Sequence, residues 1–312
     1  MQPKSTYVNV PGGPRLHLAN WSEGETACLL IHGFGDGCHI WNELAPQISH
    51  FHRTIAVDLR GHGGSSWDPN ARYDALEHSA DIAYVVRGID SPKLVLIGHS
   101  LGAEVAIHVA TMCARRIHGL VIVDYGPSIE SAIIRQIRAD FRAAHQVYPS
   151  VCAYAQYLHE QRPLARPGLL QKLAIESLVA RANGEYVLKT DPKMVSSRLE
   201  EAEGQVEQVG VWDALKSMQW PTLVVRAEGS AVLTRAVASR MIELLPNGTL
   251  ESVRMAGHAV MIDNPDGLAS AVVPFLSRLF EQSQFGACRT SVEDRQVASP
   301  AAPIQEMHAG DA

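Results

Sequence analysis

Residues 94–102 read LVLIGHSLG, and this stretch decides the fold that the rest of the chain must have. Residues 94–97 form a continuous apolar run, as expected for a strand that is buried on both faces of a parallel sheet. A helix is predicted directly after the turn, from about residue 101 to residue 114. A Gly-x-Ser-x-Gly pattern between a buried strand and a helix is typical of a sharp turn that lifts the serine hydroxyl above the sheet edge. We therefore predict that Ser100 is a nucleophile.

The two glycines of this pattern, Gly98 and Gly102, have a steric explanation. The turn is strained, and a side chain at either position would collide with the neighbouring strand or helix. Their spacing around Ser100 therefore favours a functional serine turn over an ordinary strand–helix turn in which the serine has no role.

Short β-type runs alternate with longer helical segments on both sides of this turn, which indicates a parallel sheet with crossover helices. Two N-terminal strands, at residues 6–10 and 16–21, flank the turn PGGP and are expected to form an antiparallel hairpin. The other predicted strands are residues 28–31, 54–57, 94–97, 120–123, 222–226 and 250–253. The predicted helices are residues 41–49, 73–89, 101–114, 235–245 and 265–280.

The alternation stops between Gly126 and Asp213, where helical stretches predominate and no buried-strand run occurs. We interpret residues 126–212 as a helical cap inserted into a core domain that consists of residues 1–125 and 213–281. Residues 282–312 are polar and lack apolar periodicity, so we expect a disordered C-terminal tail.

A glycine-rich loop, HGFG at residues 32–35, directly follows the strand predicted at residues 28–31. Acyl transfer develops negative charge on a carbonyl oxygen, and backbone N–H groups must already point at that oxygen. A glycine-rich loop beside the nucleophile can present such a donor. We expect the amides of Phe34 and Leu101 to form an oxyanion hole.

A candidate base, His258, follows the last predicted strand. A serine hydroxyl is a weak nucleophile until a base takes its proton, and histidine has a pKa near neutrality. Of the 14 histidines, His258 is the one in a loop after a late strand. We predict that it is the general base, whereas His99, next to the nucleophile, is expected to point away.

Together, these motifs resemble those of the α/β-hydrolase superfamily over about residues 5–281. The resemblance implies an α/β fold with an eight-stranded, mostly parallel sheet flanked by helices, and a cap over the site. It also implies the chain order nucleophile, acid, base, and a structural role for the loop at residues 58–65. The matching stretches are residues 32–35 (HGFG), 58–65 (DLRGHGGS), 98–102 (GHSLG), 221–223 (PTL) and 257–258 (GH).

The third catalytic residue that the resemblance implies is an acid, a carboxylate that orients the base. Its position in this sequence departs from the usual pattern. An aspartate is expected just after the strand at residues 222–226, but residues 226–233 read RAEGSAVL. Two carboxylates could serve instead. Asp124 ends the strand at residues 120–123, which should lie next to the nucleophile strand, and some members of the superfamily take their acid from that position. Glu228 lies in the expected turn but has a longer side chain, and we favour Asp124 with Glu228 as the alternative.

A serine nucleophile disfavours the dehalogenases and epoxide hydrolases of this superfamily, which use aspartate. It favours cleavage of an ester, thioester, lactone or amide bond in a small to medium, partly apolar substrate, with a carboxylic ester first. Candidate pocket residues are Tyr125, Phe141 and Trp212. The alternatives are a carbon–carbon bond hydrolase, a lyase or a cofactor-free oxygenase, and, less favoured, a catalytically silent ligand-binding protein.

Composition limits the partners and the compartment. The net charge is −6 at pH 7 and no dense Lys/Arg block occurs, which argues against nucleic acid or a membrane surface as partner. The 5 cysteines form no CxxC pair, and the N-terminal stretch has no apolar run typical of a secretory signal. We expect a cytoplasmic monomer or homodimer that acts on a small molecule without a cofactor or metal.

Overall fold

The computed structural model describes residues 2–195 and 204–293, the last twelve of these (282–293) by their backbone alone. The chain divides into two compact units, Met1–Phe275 and Leu276–Ala312. The sheet and all predicted site residues belong to the first unit, and the described part of the second is helical. Within the described residues, no helix is both long enough and apolar enough to span a bilayer.

An eight-stranded sheet has the strand order β1-β2-β4-β3-β5-β6-β7-β8. β1 pairs with β2 and β2 with β4 in antiparallel fashion, and all other pairs are parallel. The predicted α/β fold with an eight-stranded, mostly parallel sheet is therefore confirmed. The strands are β1 Lys4–Asn9, β2 Arg15–Asn20, β3 Thr26–Ile31, β4 Arg53–Val57, β5 Lys93–His99, β6 Ile117–Val123, β7 Thr222–Ala227 and β8 Gly248–Val253.

The strand register brings the carboxyl ends of the central strands to one edge of the sheet. His99 at the end of β5 pairs with Val123 at the end of β6, and Val123 pairs with Val225 in β7. The apolar runs of β5 and β6 are buried on both faces, as the sequence predicted. Ligands of open α/β sheets bind outside the carboxyl ends of the strands, so this edge is where a site is expected.

Helices flank the sheet close to the predicted positions, but the last one is longer than predicted. α10 continues to Glu293, so residues 282–293 of the expected irregular tail are helical, and residues 294–312 lie outside the described residues. No proline occurs between Pro274 and Pro300 to stop the helix. The helices are α1 Ala45–Ser49, α2 Ala75–Gly88, α3 Leu101–Met112, α4 Ser131–Ala144, α5 Val151–Gln161, α6 Pro167–Ser177, α7 Val209–Ser217, α8 Arg235–Leu244, α9 Val260–Asp263 and α10 Pro265–Glu293.

The segment between β6 and β7 is mainly helical, as expected, but its predicted end falls inside a helix. The boundary between residues 212 and 213 cuts α7, whose residues Val211, Trp212 and Leu215 belong to the main hydrophobic core. Helical periodicity alone could not separate α7 from the helices before it. The segment also holds two antiparallel strand pairs that the sequence did not predict, Ser128–Glu130 with Gln205–Glu207 and Leu178–Ala180 with Tyr186–Leu188. Its residues 196–203 lie outside the described residues.

Candidate active site

Ser100 lies in the sharp turn between β5 and α3, with a φ of 50° and a ψ of −123°. A positive φ is uncommon for a residue other than glycine, so the surrounding structure must hold this turn. A Cβ atom at Gly98 would lie 2.3 Å from the carbonyl oxygen of Gly102, and one at Gly102 would lie 2.3 Å from that of Ile31. Only glycine fits at these two positions, which agrees with the steric explanation of the two glycines in the motif.

A continuous line of hydrogen bonds joins Ser100 to two other predicted site residues. His258 Nε2 lies 3.0 Å from Ser100 Oγ, and His258 Nδ1 lies 2.8 Å from Asp124 Oδ2. Because a carboxylate only accepts hydrogen bonds, Nδ1 carries the proton of the neutral ring and Nε2 accepts from the serine hydroxyl. The geometry is therefore suited to moving a proton from Ser100 to His258.

The structure brings Asp124, and not Glu228, to the imidazole. Asp124 is fully buried, and its Oδ1 accepts a hydrogen bond from the backbone N–H of Ala227 at 2.9 Å. Glu228 is exposed in the turn after β7, where its backbone N–H donates to the carbonyl oxygen of Val253. The strand after the nucleophile strand therefore supplies the carboxylate that contacts His258.

The glycine-rich loop after β3 lies against the serine turn. A Cβ atom at Gly33 would lie 2.7 Å from His99 Nδ1 and 3.3 Å from Ser100 Cβ. Leu101 is the first residue of α3, where an N–H group has no acceptor within the helix. Among the described residues, no acceptor is found for the backbone N–H of Phe34 or of Leu101. Both amides are thus available to a substrate oxygen beside Ser100.

The sequence of this chain matches a known protein family. A family model described as the alpha/beta hydrolase family matches residues 28–271. The chain belongs to the alpha/beta hydrolase family.

Two similar proteins and one solved structure indicate how far the likeness extends. A 2-(acetamidomethylene)succinate hydrolase of Mesorhizobium japonicum is 26% identical over 248 residues, which are 80% of this chain and 87% of that protein. A putative esterase/lipase of Haemophilus influenzae is 24% identical over 85% of this chain and 88% of its own length. The crystal structure of E-2-(acetamidomethylene)succinate hydrolase, 23% identical, has a TM-score of 0.79 and covers 88% of this chain and 99% of that chain. The chain is therefore an alpha/beta hydrolase enzyme.

Two histidines hold the glycine-rich loop of this alpha/beta hydrolase in place. His32 Nδ1 donates to the carbonyl oxygen of Gly33 at 2.8 Å, and His32 Nε2 accepts from the backbone N–H of Leu59 at 2.9 Å. His62 Nε2 accepts from the backbone N–H of Gly35 at 3.1 Å. Leu59 and His62 belong to the loop at residues 58–65, which therefore stabilises the glycine-rich loop through these two hydrogen bonds.

His99 is a site residue whose contact with the base the sequence did not predict. Its side chain is buried, and its Nε2 donates to the carbonyl oxygen of His258 at 2.9 Å. Burial, with a smaller contribution from the nearby His258, holds the pKa of His99 well below its usual range, so the ring is neutral. His99 thus fixes the backbone of the loop that carries His258. Its only signal in the sequence is its position next to Ser100.

A half-buried carboxylate, Asp263, also holds the loop that carries His258. Asp263 Oδ2 accepts a hydrogen bond from the backbone N–H of Gly257 at 2.9 Å. Burial raises the pKa of Asp263, although this hydrogen bond and the charges of Arg162 and His258 oppose the effect. The residue before His258 is therefore anchored independently of the bond from His99.

Of the three aromatic residues predicted to line the pocket, one lies beside the glycine-rich loop. The Phe141 ring is 4.6 Å from the Phe34 ring, centroid to centroid. Tyr125 and Trp212 belong to the main hydrophobic core, and their place in a substrate pocket stays a prediction. The Tyr125 hydroxyl donates to Gln208 Oε1 at 2.5 Å. An aromatic residue type in a sequence does not reveal which face of its element is buried.

Proposed function

We propose that this enzyme is a serine hydrolase that acts through an acyl-enzyme on Ser100. The bond cleaved is an ester, thioester, lactone or amide bond, and we favour a carboxylic ester among these. The single observation that carries the proposal is the line of hydrogen bonds from Ser100 through His258 to the buried Asp124. A nucleophile, a base and a group that orients the base are what covalent acyl transfer requires.

The first half of the reaction forms the acyl-enzyme. Ser100 Oγ attacks the carbonyl carbon while His258 Nε2 takes the hydroxyl proton. The amides of Phe34 and Leu101 stabilise the negative charge that develops on the carbonyl oxygen. His258 then gives its proton to the leaving alcohol, thiol or amine as the bond to the carbonyl carbon breaks. Asp124 stabilises the imidazolium that exists between these two steps.

The second half releases the acid. His258 Nε2 takes a proton from water, and the oxygen of that water attacks the acyl carbon. The same two amides stabilise the second tetrahedral intermediate. Ser100 Oγ then leaves and recovers its proton from His258, which returns the enzyme to its starting state.

The surroundings of Ser100 support a small to medium, partly apolar substrate. The rings of Phe34, in the glycine-rich loop, and Phe141 lie next to each other. Sites with apolar walls and few polar groups suit small to medium, partly apolar substrates. We propose that the helical segment with Phe141 acts as a cap. A cytoplasmic location and a monomeric or homodimeric state remain predictions.

Turnover of a matched substrate panel tests the proposal. We expect the purified chain to hydrolyse short p-nitrophenyl esters, thioesters or anilides, with a burst of chromophore that reports acyl-enzyme formation. Ser100→Ala should lose about 10⁶-fold in kcat, as losing a triad nucleophile does. Ester turnover that survives in Ser100→Ala would contradict the proposal, and binding without turnover of any panel member would favour a silent ligand-binding protein.

A further inference from the structure

Three potential metal ligands cluster outside the proposed catalytic site. They are His17 in β2, Cys38 at the start of the short 3₁₀ helix Cys38–Trp41, and Asp58 directly after β4. A ring nitrogen, the thiol sulfur and a carboxylate oxygen all lie within 4.8 Å of one another. Sulfur, nitrogen and oxygen donors in one group are the ligand set of zinc and similar divalent cations.

Hydrogen bonds already hold these side chains in one arrangement. His17 Nδ1 donates to Asp58 Oδ2 at 2.8 Å, and His17 Nε2 lies 3.0 Å from Ser5 Oγ. The backbone N–H of Cys38 donates to Asp58 Oδ1 at 2.6 Å. Ordering of ligands before binding lowers the entropic cost of binding. The cluster therefore needs little rearrangement to accept an ion.

A cavity gives an ion access to this cluster. Its volume is about 640 Å³, and His17, Cys38 and Asp58 all line it, together with Tyr7, Trp67 and Lys189 among others. Neither Ser100 nor His258 lines this cavity. A site with three protein ligands and an open side can keep a water molecule in its fourth position.

We propose that His17, Cys38 and Asp58 bind one divalent cation of the zinc type, with water from the cavity as the fourth ligand. Ligand atoms of a tetrahedral zinc site are about 3.4–3.6 Å apart, given zinc–ligand bonds of about 2.0–2.3 Å. His17 Nδ1 and Asp58 Oδ2 must separate by about 0.6 Å, and Cys38 Sγ must approach by about 1.3 Å at most. On binding, the thiol proton of Cys38 leaves to solvent, and the proton of the His17 ring moves from Nδ1 to Nε2 through solvent, so that the ring stays neutral and can donate to Ser5 Oγ.

Zinc and cobalt titrations of the metal-stripped full chain test this proposal. Competition with a chromogenic chelator should give one Zn²⁺ bound per chain, and bound Zn²⁺ should raise the Tm because it stabilises the folded state only. Co²⁺ in the same site should produce a thiolate-to-cobalt charge-transfer band. Ser100→Ala should bind the ions as the unaltered chain does, which separates this proposal from the proposed hydrolase chemistry.

A matched pair of cysteine variants identifies the ligand. Cys38→Ala should lose the cobalt band and weaken Zn²⁺ binding by at least about 10- to 100-fold, the effect of removing even an outer partner of a metal site. Cys113→Ala removes an equally buried thiol from the main core and should keep both properties. His17→Gln provides a second test should Cys38→Ala not fold. Equal Zn²⁺ affinity in the two cysteine variants, or a cobalt spectrum without a sulfur band, would overturn the proposal.

Discussion

At the scale of single residues, the proposed function predicts that Asp124 decides whether His258 can act as a base. The carboxylate is fully buried and contacts His258 Nδ1 at 2.8 Å. Asparagine has the same shape but lacks the charge and can favour the wrong tautomer of the ring, so Asp124→Asn should lower kcat by about 10⁴-fold. Steady-state kinetics on an ester substrate measure this effect.

Glu228→Gln is the matched control for Asp124→Asn, because Glu228 is the other carboxylate that the sequence left open. The Glu228 side chain is exposed, so the kcat of the Glu228→Gln variant should stay close to that of the unaltered enzyme. A large loss in Glu228→Gln together with a small loss in Asp124→Asn would reverse the assignment of the acid.

His99 is predicted to be a positioning residue. His99→Phe keeps an aromatic ring but removes the donor to the carbonyl oxygen of His258, and an unpaired polar group of this kind costs about 1–3 kcal/mol. We expect kcat to fall by about tenfold to 100-fold with KM nearly unchanged, because the base loses its alignment and the substrate contacts stay. His99→Gln, which can donate to the same carbonyl oxygen, should recover part of the loss. Identical kinetics in the two variants would exclude this role.

The sequence identified residues by their motifs but could not determine their side-chain contacts. Local sequence patterns identify Ser100, His258 and the glycine-rich loop. Each of them follows a predicted strand, so their placement at one edge of the sheet could be predicted. Asp124 and Glu228 follow two neighbouring strands that end at this edge. Only the direction of each side chain decides which carboxylate contacts His258, and the sequence does not show that direction. His99 has no pattern of its own, because its partner, the backbone of His258, is 159 residues away.

At the scale of elements, the packing of α3 against β3 depends on Gly102. A Cβ atom there would lie 2.3 Å from the carbonyl oxygen of Ile31 and 2.4 Å from that of His32. Both obstacles are backbone atoms that cannot rotate away. Gly102→Ala should therefore destabilise the fold by at least about 3 kcal/mol, the upper part of the usual range for overpacking. Urea unfolding measures this change.

Gly88→Ala is the control for this prediction, since a Cβ atom at Gly88, the last residue of α2, meets nothing within 4 Å. Its stability should be unchanged or slightly higher, because alanine favours the helix. A Gly102→Ala variant as stable as Gly88→Ala would contradict the close packing of α3.

Element boundaries were harder to predict than elements. The buried strands were predicted within a few residues, because continuous apolar runs next to glycine-rich turns are unambiguous. The first part of α7, up to residue 212, was assigned to the cap, although Val211 and Trp212 pack in the main core. An amphipathic helix has the same periodicity whichever apolar surface it covers, so the sequence could not decide this.

At the scale of the whole molecule, histidines that are buried or half-buried should make the free energy of unfolding depend on pH. Burial lowers the pKa of His39 to about 4 and that of His78 to about 3, whereas unfolded histidines titrate near pH 6.5. Between these values the unfolded chain binds more protons, so stability is lost as the pH falls below about 6.5. Carboxyl groups such as Asp36 and Glu104, whose pKa burial raises, act in the opposite sense at lower pH.

Thermal unfolding between pH 7.5 and pH 5 measures this dependence. His78→Phe should flatten it, because it removes a titrating group whose ring nitrogens have no hydrogen-bond partner among the described residues. A Tm that does not change over this interval, or the same slope in His78→Phe, would contradict the neutral state of these rings.

Covalent labelling of the nucleophile tests the central claim most directly. The claim is that Ser100 is activated by His258 and Asp124, so a fluorophosphonate should react with it and leave a stable adduct. Peptide mass spectrometry should locate that adduct on Ser100, and His258→Ala should slow the labelling by several orders of magnitude. Absence of an adduct, or an adduct on a different residue, would contradict the account.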